Sequence, residues 1–230
     1  MKKIKNSLIE NSNSYYDNSK IYEEFTKAED FPNKIKKFLF PKVKGKVVVD
    51  FGCGNGKYAG LLSNKTQKYV GIDISKEQIR IAKSKFKDNK NAGFIHSSVE
   101  KINLPSNYAD VIISSWAIST INGYSRKSKS IKEALRVLKP KGIIFLIEND
   151  IGGEFEIIRG RYPDIKRTKE YNGWVLKKGF EAEKRIKTYF RFSSNKQARR
   201  VIGAIWGERV GSLVKGKIIK HNVIIFSRKK

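Results

Sequence analysis

The sequence predicts an α/β protein with a doubly wound, mostly parallel seven-stranded sheet, an antiparallel closing strand and helices on both faces. Two observations support this fold class. Short β-branched runs alternate with amphipathic segments between residues 46 and 148, which is typical of right-handed βαβ units in a parallel sheet. Two later strand-like segments, residues 181–192 and 221–229, lie on either side of a helix predicted from Asn195 to Val214. We expect these two segments to pair like a hairpin at one sheet edge.

Each strand of the alternating region is a short apolar run bounded by polar or turn residues. The segments KVVVDF and ADVIISSW have the continuous β-branched character of buried strands. With three similar segments they give the predicted strands 46–51, 68–73, 92–97, 109–116 and 142–148.

The helices are predicted from capping residues and from the spacing of apolar residues. Ser75 can cap a helix that follows the second strand. Residues 129–142 predict a helix that ends at Pro140, and residues 31–41 predict a short helix that stops at Pro41.

The chain is long enough for one large domain, which we place at residues 46–230, preceded by an arm with helices at residues 1–45. Residues 193–216 are an insertion between the two late strands. Its apolar patch, which includes Trp206, has two interpretations: a cap over a substrate pocket, or ordinary packing onto the sheet. We favour the cap because the segment is an insertion.

The charge of the chain is strongly positive and uneven. There are 49 Lys+Arg against 22 Asp+Glu, a net charge of +27, and residues 151–230 alone carry 21 basic and 7 acidic residues. Such a field attracts polyanions such as RNA, DNA or anionic lipid, but it also favours solubility. Basic and aromatic residues interleave over 159–200, which suits RNA. Alternation along RIKTYFRF, however, also places the basic residues on the solvent side of a strand.

Composition and motifs exclude several kinds of protein and site. The single cysteine, Cys53, excludes an intrachain disulfide and a cysteine-built zinc site, and neither histidine has a neighbour at ligand spacing, so we expect no metal. The N-terminus lacks the apolar run of a signal peptide, and no segment approaches the roughly 20 apolar residues of a membrane span. We therefore expect a cytoplasmic protein. A serine-nucleophile elbow and a Walker-type lysine loop are also missing.

A glycine-rich turn follows the first strand, and two kinds of ligand compete for it. Glycines at positions 52, 54 and 56 allow positive φ angles and close approach of a ligand to the backbone. With Asp73 19 residues after Gly54, the turn also fits the dinucleotide fingerprint. Asp50, at the strand tip, separates the two interpretations. Its carboxylate would repel a pyrophosphate but would suit a ligand with a cationic end.

The segment VVVDFGCGNG followed by VGIDIS resembles the first two motifs of class I S-adenosylmethionine-dependent methyltransferases. FIHSSVEKINLPSNYADVIISSWAIST and EALRVLKPKGIIFLIE are similar to the later strand regions of that family. The likeness covers about residues 46–148, and the two late strands resemble the family's closing strands more loosely. The resemblance implies S-adenosylmethionine as cofactor, which carries an ammonium and a sulfonium group and no phosphate.

The same resemblance assigns cofactor contacts. Asp50 and the glycine turn would contact the methionyl part, Asp73 the ribose hydroxyls and Ile74 the adenine. Ser98 stands where the family usually has an acidic residue for the adenine amino group, and its hydroxyl can still accept that hydrogen bond. The full set of expected cofactor residues is Asp50, Gly52, Cys53, Gly54, Gly56, Asp73, Ile74, Ser98, Val99 and Ser115.

Methyl transfer from a sulfonium needs alignment and a dry cavity more than a fixed catalytic triad. The candidates for a base are therefore few: Tyr16 in the N-terminal arm, which would fold over the cofactor as in related enzymes, His221 before the last strand, and Glu148 at the end of the fifth. The sequence slightly favours a small-molecule methyl acceptor over RNA, because no separate nucleic-acid module is evident. Two alternatives stay open, an NAD(P)-dependent oxidoreductase and a non-catalytic nucleic-acid-binding protein on the same fold.

Overall fold

The computed structural model describes residues 18–159 and 162–230. Seven strands form one sheet in the order β3-β2-β1-β4-β5-β7-β6. β1 to β5 are parallel, β7 is antiparallel to both of its neighbours, and β6 therefore runs with the parallel set. The strands are β1 (Val47–Phe51), β2 (Lys68–Asp73), β3 (Ala92–His96), β4 (Ala109–Ser115), β5 (Leu138–Asn149), β6 (Glu181–Arg191) and β7 (Ile218–Lys229). The predicted fold class is confirmed.

The described helices cover both faces of the sheet. They are α1 (Ser19–Ala28), α2 (Lys34–Val43), α3 (Lys57–Leu62), α4 (Lys76–Lys85), α5 (Tyr124–Val137), α6 (Glu154–Ile158), α7 (Tyr162–Lys177), α8 (Asn195–Trp206) and α9 (Glu208–Ser212). Successive strand residues such as Val48 and Val49 point to opposite faces. One face packs on α2, α3 and α4, and the other packs on α5 and α7. In the described part of the chain, no helix has both the length and the apolar character needed to cross a membrane.

Two helix ends that were predicted from the positions of prolines were wrong. Pro41 lies inside α2, which continues to Val43 because Leu39 and Val43 are buried against the sheet. Losing one hydrogen bond in the last turn costs less than losing that packing.

The predicted helix 129–142 also ends earlier, at Val137, and the chain passes directly into β5. Leu138 pairs with Ala109, but the next pair is Ile143 with Val111. The intervening residues, which include Pro140, bulge out of the sheet, where a residue without an N–H is tolerated.

Neither α6 nor α7 was predicted from the sequence, and the helices placed in residues 1–45 came without bounds for α1. The helix expected from Asn195 to Val214 is split into α8 and α9 at Gly207, whose φ is +99°. Together with α1 and α6, this insertion forms a third apolar cluster around Phe155 and Phe190.

The last two strands extend beyond the carboxyl edge of the parallel sheet. Pairing between β5 and β7 ends at Asn149–Val223, whereas pairing between β6 and β7 continues to Arg191–Ile218. We call this two-stranded extension, residues 187–191 and 218–222, the ribbon. It carries the α8–α9 insertion at its tip.

Candidate active site

Only glycine fits at key positions of the turn after β1. Gly52, Gly54 and Gly56 have φ angles of +74°, +53° and +85°. A Cβ on Gly54 would lie 2.0 Å from the hydroxyl oxygen of Tyr22 in α1, and a Cβ on Gly52 would lie 2.2 Å from the Cβ atom of Ala117. The turn is therefore a surface of bare backbone, with α1 lying directly over it.

The amide groups of this turn are largely engaged within the protein. Gly52 and Cys53 donate to the carbonyl of Ile72, at 2.8 and 3.0 Å, and Gly54 donates to Asp73 Oδ2 at 2.8 Å. The turn therefore lets a ligand approach the backbone closely, but its N–H groups are mostly not free to donate to that ligand. The Cys53 side chain is buried, and burial raises the pKa of its thiol and keeps it protonated. This suits a side chain that packs inside the turn and does not react.

Asp50 is a buried carboxylate at the tip of β1. Its side chain is 1% exposed. Oδ2 accepts a hydrogen bond from the Tyr69 hydroxyl, and Oδ1 has no hydrogen-bond partner among the described residues. Burial raises the pKa of Asp50 to about 7, against the opposing effects of the Tyr69 hydroxyl and of Lys57. An orphaned carboxylate oxygen of this kind suits a cationic ligand.

Lys57 is a functional candidate that the sequence did not single out. It directly follows Gly56, which is not the spacing of the lysine in a Walker-type loop. Its ammonium pairs with Glu29, which follows α1, and lies 3.4 Å from Ser115 Oγ and 4.6 Å from the centroid of the Trp116 ring. Burial is the largest single influence and opposes the charge, but Glu29, Tyr58 and Asp50 together outweigh it and hold the pKa of Lys57 above its ordinary value. Its position directly after the glycine turn is the sequence feature that could have identified it.

The tip of β2 holds a second carboxylate beside the turn. Asp73 is 4% exposed, and besides Gly54 it accepts a hydrogen bond from Ser75 N at 2.8 Å. Burial raises its pKa. The next side chain, Ile74, is 69% exposed, which is unusual for an isoleucine and leaves an apolar surface beside this carboxylate.

The remaining cofactor candidates lie after β3 and β4. Ser98 and Val99 are half-buried, and Ser98 Oγ accepts a hydrogen bond from Glu100 N at 3.2 Å. The Glu100 carboxylate pairs with Arg126. Ser115, at the end of β4, lies 3.4 Å from both Lys57 Nζ and the Tyr58 hydroxyl. The structure therefore gathers the predicted residues along the carboxyl ends of neighbouring strands.

His221 lies in the ribbon, in an aromatic enclosure. It is 1% exposed and stacks on Trp116 and Phe190, with ring centroids 5.7 and 4.9 Å away. Asn149 Oδ1 accepts a hydrogen bond from Trp116 Nε1 at 2.9 Å and lies 2.8 Å from His221 Nε2. Because an indole N–H can only donate, the shared atom is the amide oxygen, and His221 Nε2 must carry a proton.

That tautomer leaves His221 Nδ1 as a bare acceptor. In the described part of the chain Nδ1 has no hydrogen-bond partner. Burial lowers the pKa of His221 to about 3, helped by the charges of Arg159 and Lys57, so the ring is neutral at ordinary pH. The arrangement can orient a group that bears an N–H or O–H.

Of the other two base candidates, the structure describes only Glu148, which lies away from His221. Glu148 points to the opposite face of the sheet, where it accepts a hydrogen bond from the Tyr171 hydroxyl at 3.0 Å, and burial raises its pKa to about 7. This position does not support the expectation that Glu148 serves as a base beside the acceptor. Tyr16 lies outside the described residues. Within those residues, no cluster of three potential metal ligands occurs.

Comparison with known proteins identifies the family. A methyltransferase-domain family profile matches residues 49–146. The chain is 34% identical over 115 residues to a tRNA (carboxymethyluridine(34)-5-O)-methyltransferase of Arabidopsis thaliana, covering 49% of this chain and 26% of that protein. It is 30% identical over 183 residues to an uncharacterized protein of Methanocaldococcus jannaschii, covering 76% of this chain and 68% of that protein.

Another relative is a ubiquinone/menaquinone biosynthesis C-methyltransferase of Vibrio campbellii, 29% identical over 114 residues, with 45% of this chain and 41% of that protein covered. The chain thus spans between about a quarter and two thirds of the length of these relatives. Among solved structures, the YcgJ protein of Bacillus subtilis has the same fold, with a TM-score of 0.63 at 16% identity over 85% of this chain and 96% of that one. The chain belongs to the class I S-adenosylmethionine-dependent methyltransferases.

Proposed function

We propose that this protein binds S-adenosylmethionine at the tips of β1 and β2 and transfers its methyl group to RNA, with tRNA as the first acceptor to test. The observation that carries the cofactor site is the buried, half-unsatisfied carboxylate of Asp50 beside a turn that only glycine fits. A buried carboxylate without full pairing is costly, and a cationic ligand offsets that cost. When bound, S-adenosylmethionine supplies an activated methyl group on a sulfonium.

The other residues have complementary roles in this proposal. Asp50 faces the cationic methionyl end. The backbone hydrogen bonds from Gly54 and Ser75 orient the Asp73 carboxylate, whose remaining lone pairs accept the ribose hydroxyls. The exposed Ile74 side chain covers one face of the adenine, and Ser98 and Val99 border its edge.

The methyl acceptor would lie against the aromatic cluster of Trp116, Phe155 and His221. Flat rings suit a flat base, and the bare Nδ1 of His221 can accept a hydrogen bond from the acceptor group and so align it. With a pKa of about 3, His221 is a weak base at neutral pH, so we assign it orientation and not proton removal.

Two observations favour RNA as the acceptor. The net charge is +27, with a large share in residues 151–230, and the relative with 34% identity is named as a tRNA methyltransferase. A small molecule, the acceptor slightly favoured by the sequence alone, is the second candidate. It is supported by the burial of His221 among aromatic rings and by the relative named for quinone biosynthesis.

The test uses calorimetry and labelled-methyl transfer. We expect binding of S-adenosylmethionine and not of NADH, and transfer of label from S-adenosylmethionine into total tRNA. Asp73→Ala should lower cofactor affinity by at least about tenfold, because one ribose hydrogen bond to a charged group contributes about 1.5–3 kcal/mol. The matched control is Asp88→Ala, at an exposed aspartate after α4. NADH binding, or equal affinity in both variants, would reject the cofactor site, and label found only in small molecules would reject RNA.

A further inference from the structure

The ribbon has a buried side and an exposed side. Thr188, Phe190 and His221 are buried on the side of the active site. Because side chains alternate along a strand, their neighbours point to the opposite side. These neighbours form the cross-strand pairs Lys187–Asn222, Tyr189–Lys220 and Arg191–Ile218, and we call them the outer face.

Cations dominate this outer face. Lys187, Arg191 and Lys220 are all exposed, and Lys34 joins them because its ammonium donates to the carbonyl of Lys187 at 2.7 Å. Among the residues that the structure describes, none of these four side chains forms an ion pair.

The nearest carboxylates are already engaged by other groups. Asp30 accepts hydrogen bonds from the first backbone amides of α2 and from the Thr188 hydroxyl, and Glu154 accepts one from the Lys220 amide. Adjacent uncompensated cations repel each other, and an anionic partner relieves that repulsion.

Aromatic rings lie among the cations. Phe31, in the loop after α1, is 42% exposed, and its backbone amide donates to the carbonyl of Tyr189 at the open edge of β6. The Arg191 guanidinium lies 4.2 Å from the centroid of the Phe31 ring, and the Tyr189 ring lies 5.9 Å away at an angle of 30°. Nucleic-acid bases can stack on exposed aromatic rings, and their phosphates can bind the neighbouring guanidinium and ammonium groups.

We propose that this outer face binds single-stranded or looped RNA next to the nucleotide that enters the active site. The proposal rests on RNA as the acceptor in the proposed function. Lys220 and Asn222 are the chain neighbours of His221. The outer face and the aromatic rings around His221 therefore lie on opposite sides of the same strand, β7. Phosphates would contact Lys187, Arg191 and Lys220, and a base would stack on Phe31.

The test compares charge reversals at the two opposite edges of the sheet. K187E/R191E/K220E changes the outer face, and K83E/K87E/K90E makes the same change in net charge at exposed residues beside β3. The probe is total tRNA, titrated at several salt concentrations. We expect the ribbon variant to lose more than about tenfold in affinity and to reduce the slope of log K against log salt by about 2, because three phosphate contacts are lost. The control should change far less in both quantities.

A neutral substitution tests stacking separately from charge. Phe31→Ala should lower tRNA affinity by about fivefold or more and leave the salt slope unchanged. Leu176→Ala removes an equally exposed apolar side chain from α7 and should have no effect. Equal RNA affinity in the ribbon variant and its control would overturn the proposal, as would loss of binding to anionic vesicles in place of RNA.

The failure of this proposal can be distinguished from failure of the proposed function. S-adenosylmethionine affinity, measured by calorimetry on every variant, should not change, since none of these residues is at the cofactor site. If wild-type protein labels no RNA while the ribbon variant still loses RNA affinity, the surface is supported and the acceptor assignment fails. If wild-type protein labels tRNA and the ribbon variant does so with an unchanged KM, the surface is rejected and the acceptor assignment stands.

Discussion

The affinity for S-adenosylmethionine should depend steeply on pH through Asp50. Its pKa is about 7 in the folded protein because burial disfavours the charged form. A cationic ligand needs the ionised carboxylate. About 1% of Asp50 is ionised at pH 5 and about half at pH 7, so the affinity should rise by about 50-fold over this interval. The amino group of the ligand stays protonated there, because α-amino groups titrate at about 7.7–8.0.

The same carboxylate should make the unliganded protein less stable as the pH rises. The pKa in the folded state is higher than in the unfolded state, where it is about 3.9. The stability that protonated Asp50 contributes is therefore fully present below about pH 4 and is lost as the pH rises through about 7. Relative to Asp50→Asn, the free energy of unfolding should fall by up to about 4 kcal/mol between pH 4 and pH 8.

Both effects can be measured by comparing wild type with Asp50→Asn, which keeps an acceptor for the Tyr69 hydroxyl. Calorimetric titrations from pH 5 to pH 7 give the affinities, and urea unfolding over pH 4–8 gives the stabilities. Glu148, which also titrates near pH 7, is present in both proteins, so its contribution cancels in the difference. If the two proteins bind S-adenosylmethionine with the same pH dependence, the electrostatic argument for the cofactor site is wrong.

Three further predictions follow from single contacts. Tyr69→Phe removes the hydroxyl that stabilises the Asp50 charge, so the pH midpoint of cofactor affinity should move upward in the same calorimetric series. Gly54→Ala forces a Cβ against Tyr22 at positive φ, so the free energy of unfolding in urea should fall by about 1–2 kcal/mol. We also expect faster proteolysis of α1 and weaker cofactor binding. Unchanged proteolysis would contradict the placement of α1 over the turn. Asn149→Ala leaves the ring N–H groups of buried His221 and half-buried Trp116 without their acceptor and should cost about 1–3 kcal/mol in urea unfolding, whereas a cost near zero would refute the assigned tautomer.

The parts of the site that could be predicted are those that local sequence encodes. The strand run of β1, the glycines after it and Asp50 at its tip are consecutive residues, so their order alone places a carboxylate beside a bare turn. The outward alternation along β6 was predictable for the same reason, and Ile186 and Phe190 are buried as expected while Arg185 and Arg191 are exposed.

The parts that could not be predicted depend on contacts between distant segments. Nothing near Lys57 in the sequence indicates that Glu29, 28 residues earlier, will hold its ammonium. The direction of Glu148 depends on the register of β5, which a bulge near Pro140 shifts and which no local pattern reveals. Asn149 becomes important only because the ribbon brings His221 to it across the sheet.

These distant contacts place α1 at the candidate cofactor site. Tyr22 lies over Gly54, where the cofactor needs close approach, and Glu29 at the end of the same segment holds the Lys57 ammonium near Asp50. Phe25 packs on Phe190 of the ribbon, with ring centroids 5.0 Å apart. A ligand that takes the place of the Tyr22 hydroxyl therefore disturbs both the charge beside Asp50 and the packing behind His221. Under the proposed function, we therefore expect cofactor binding and the packing of the aromatic cluster around His221 to be coupled through this ten-residue helix.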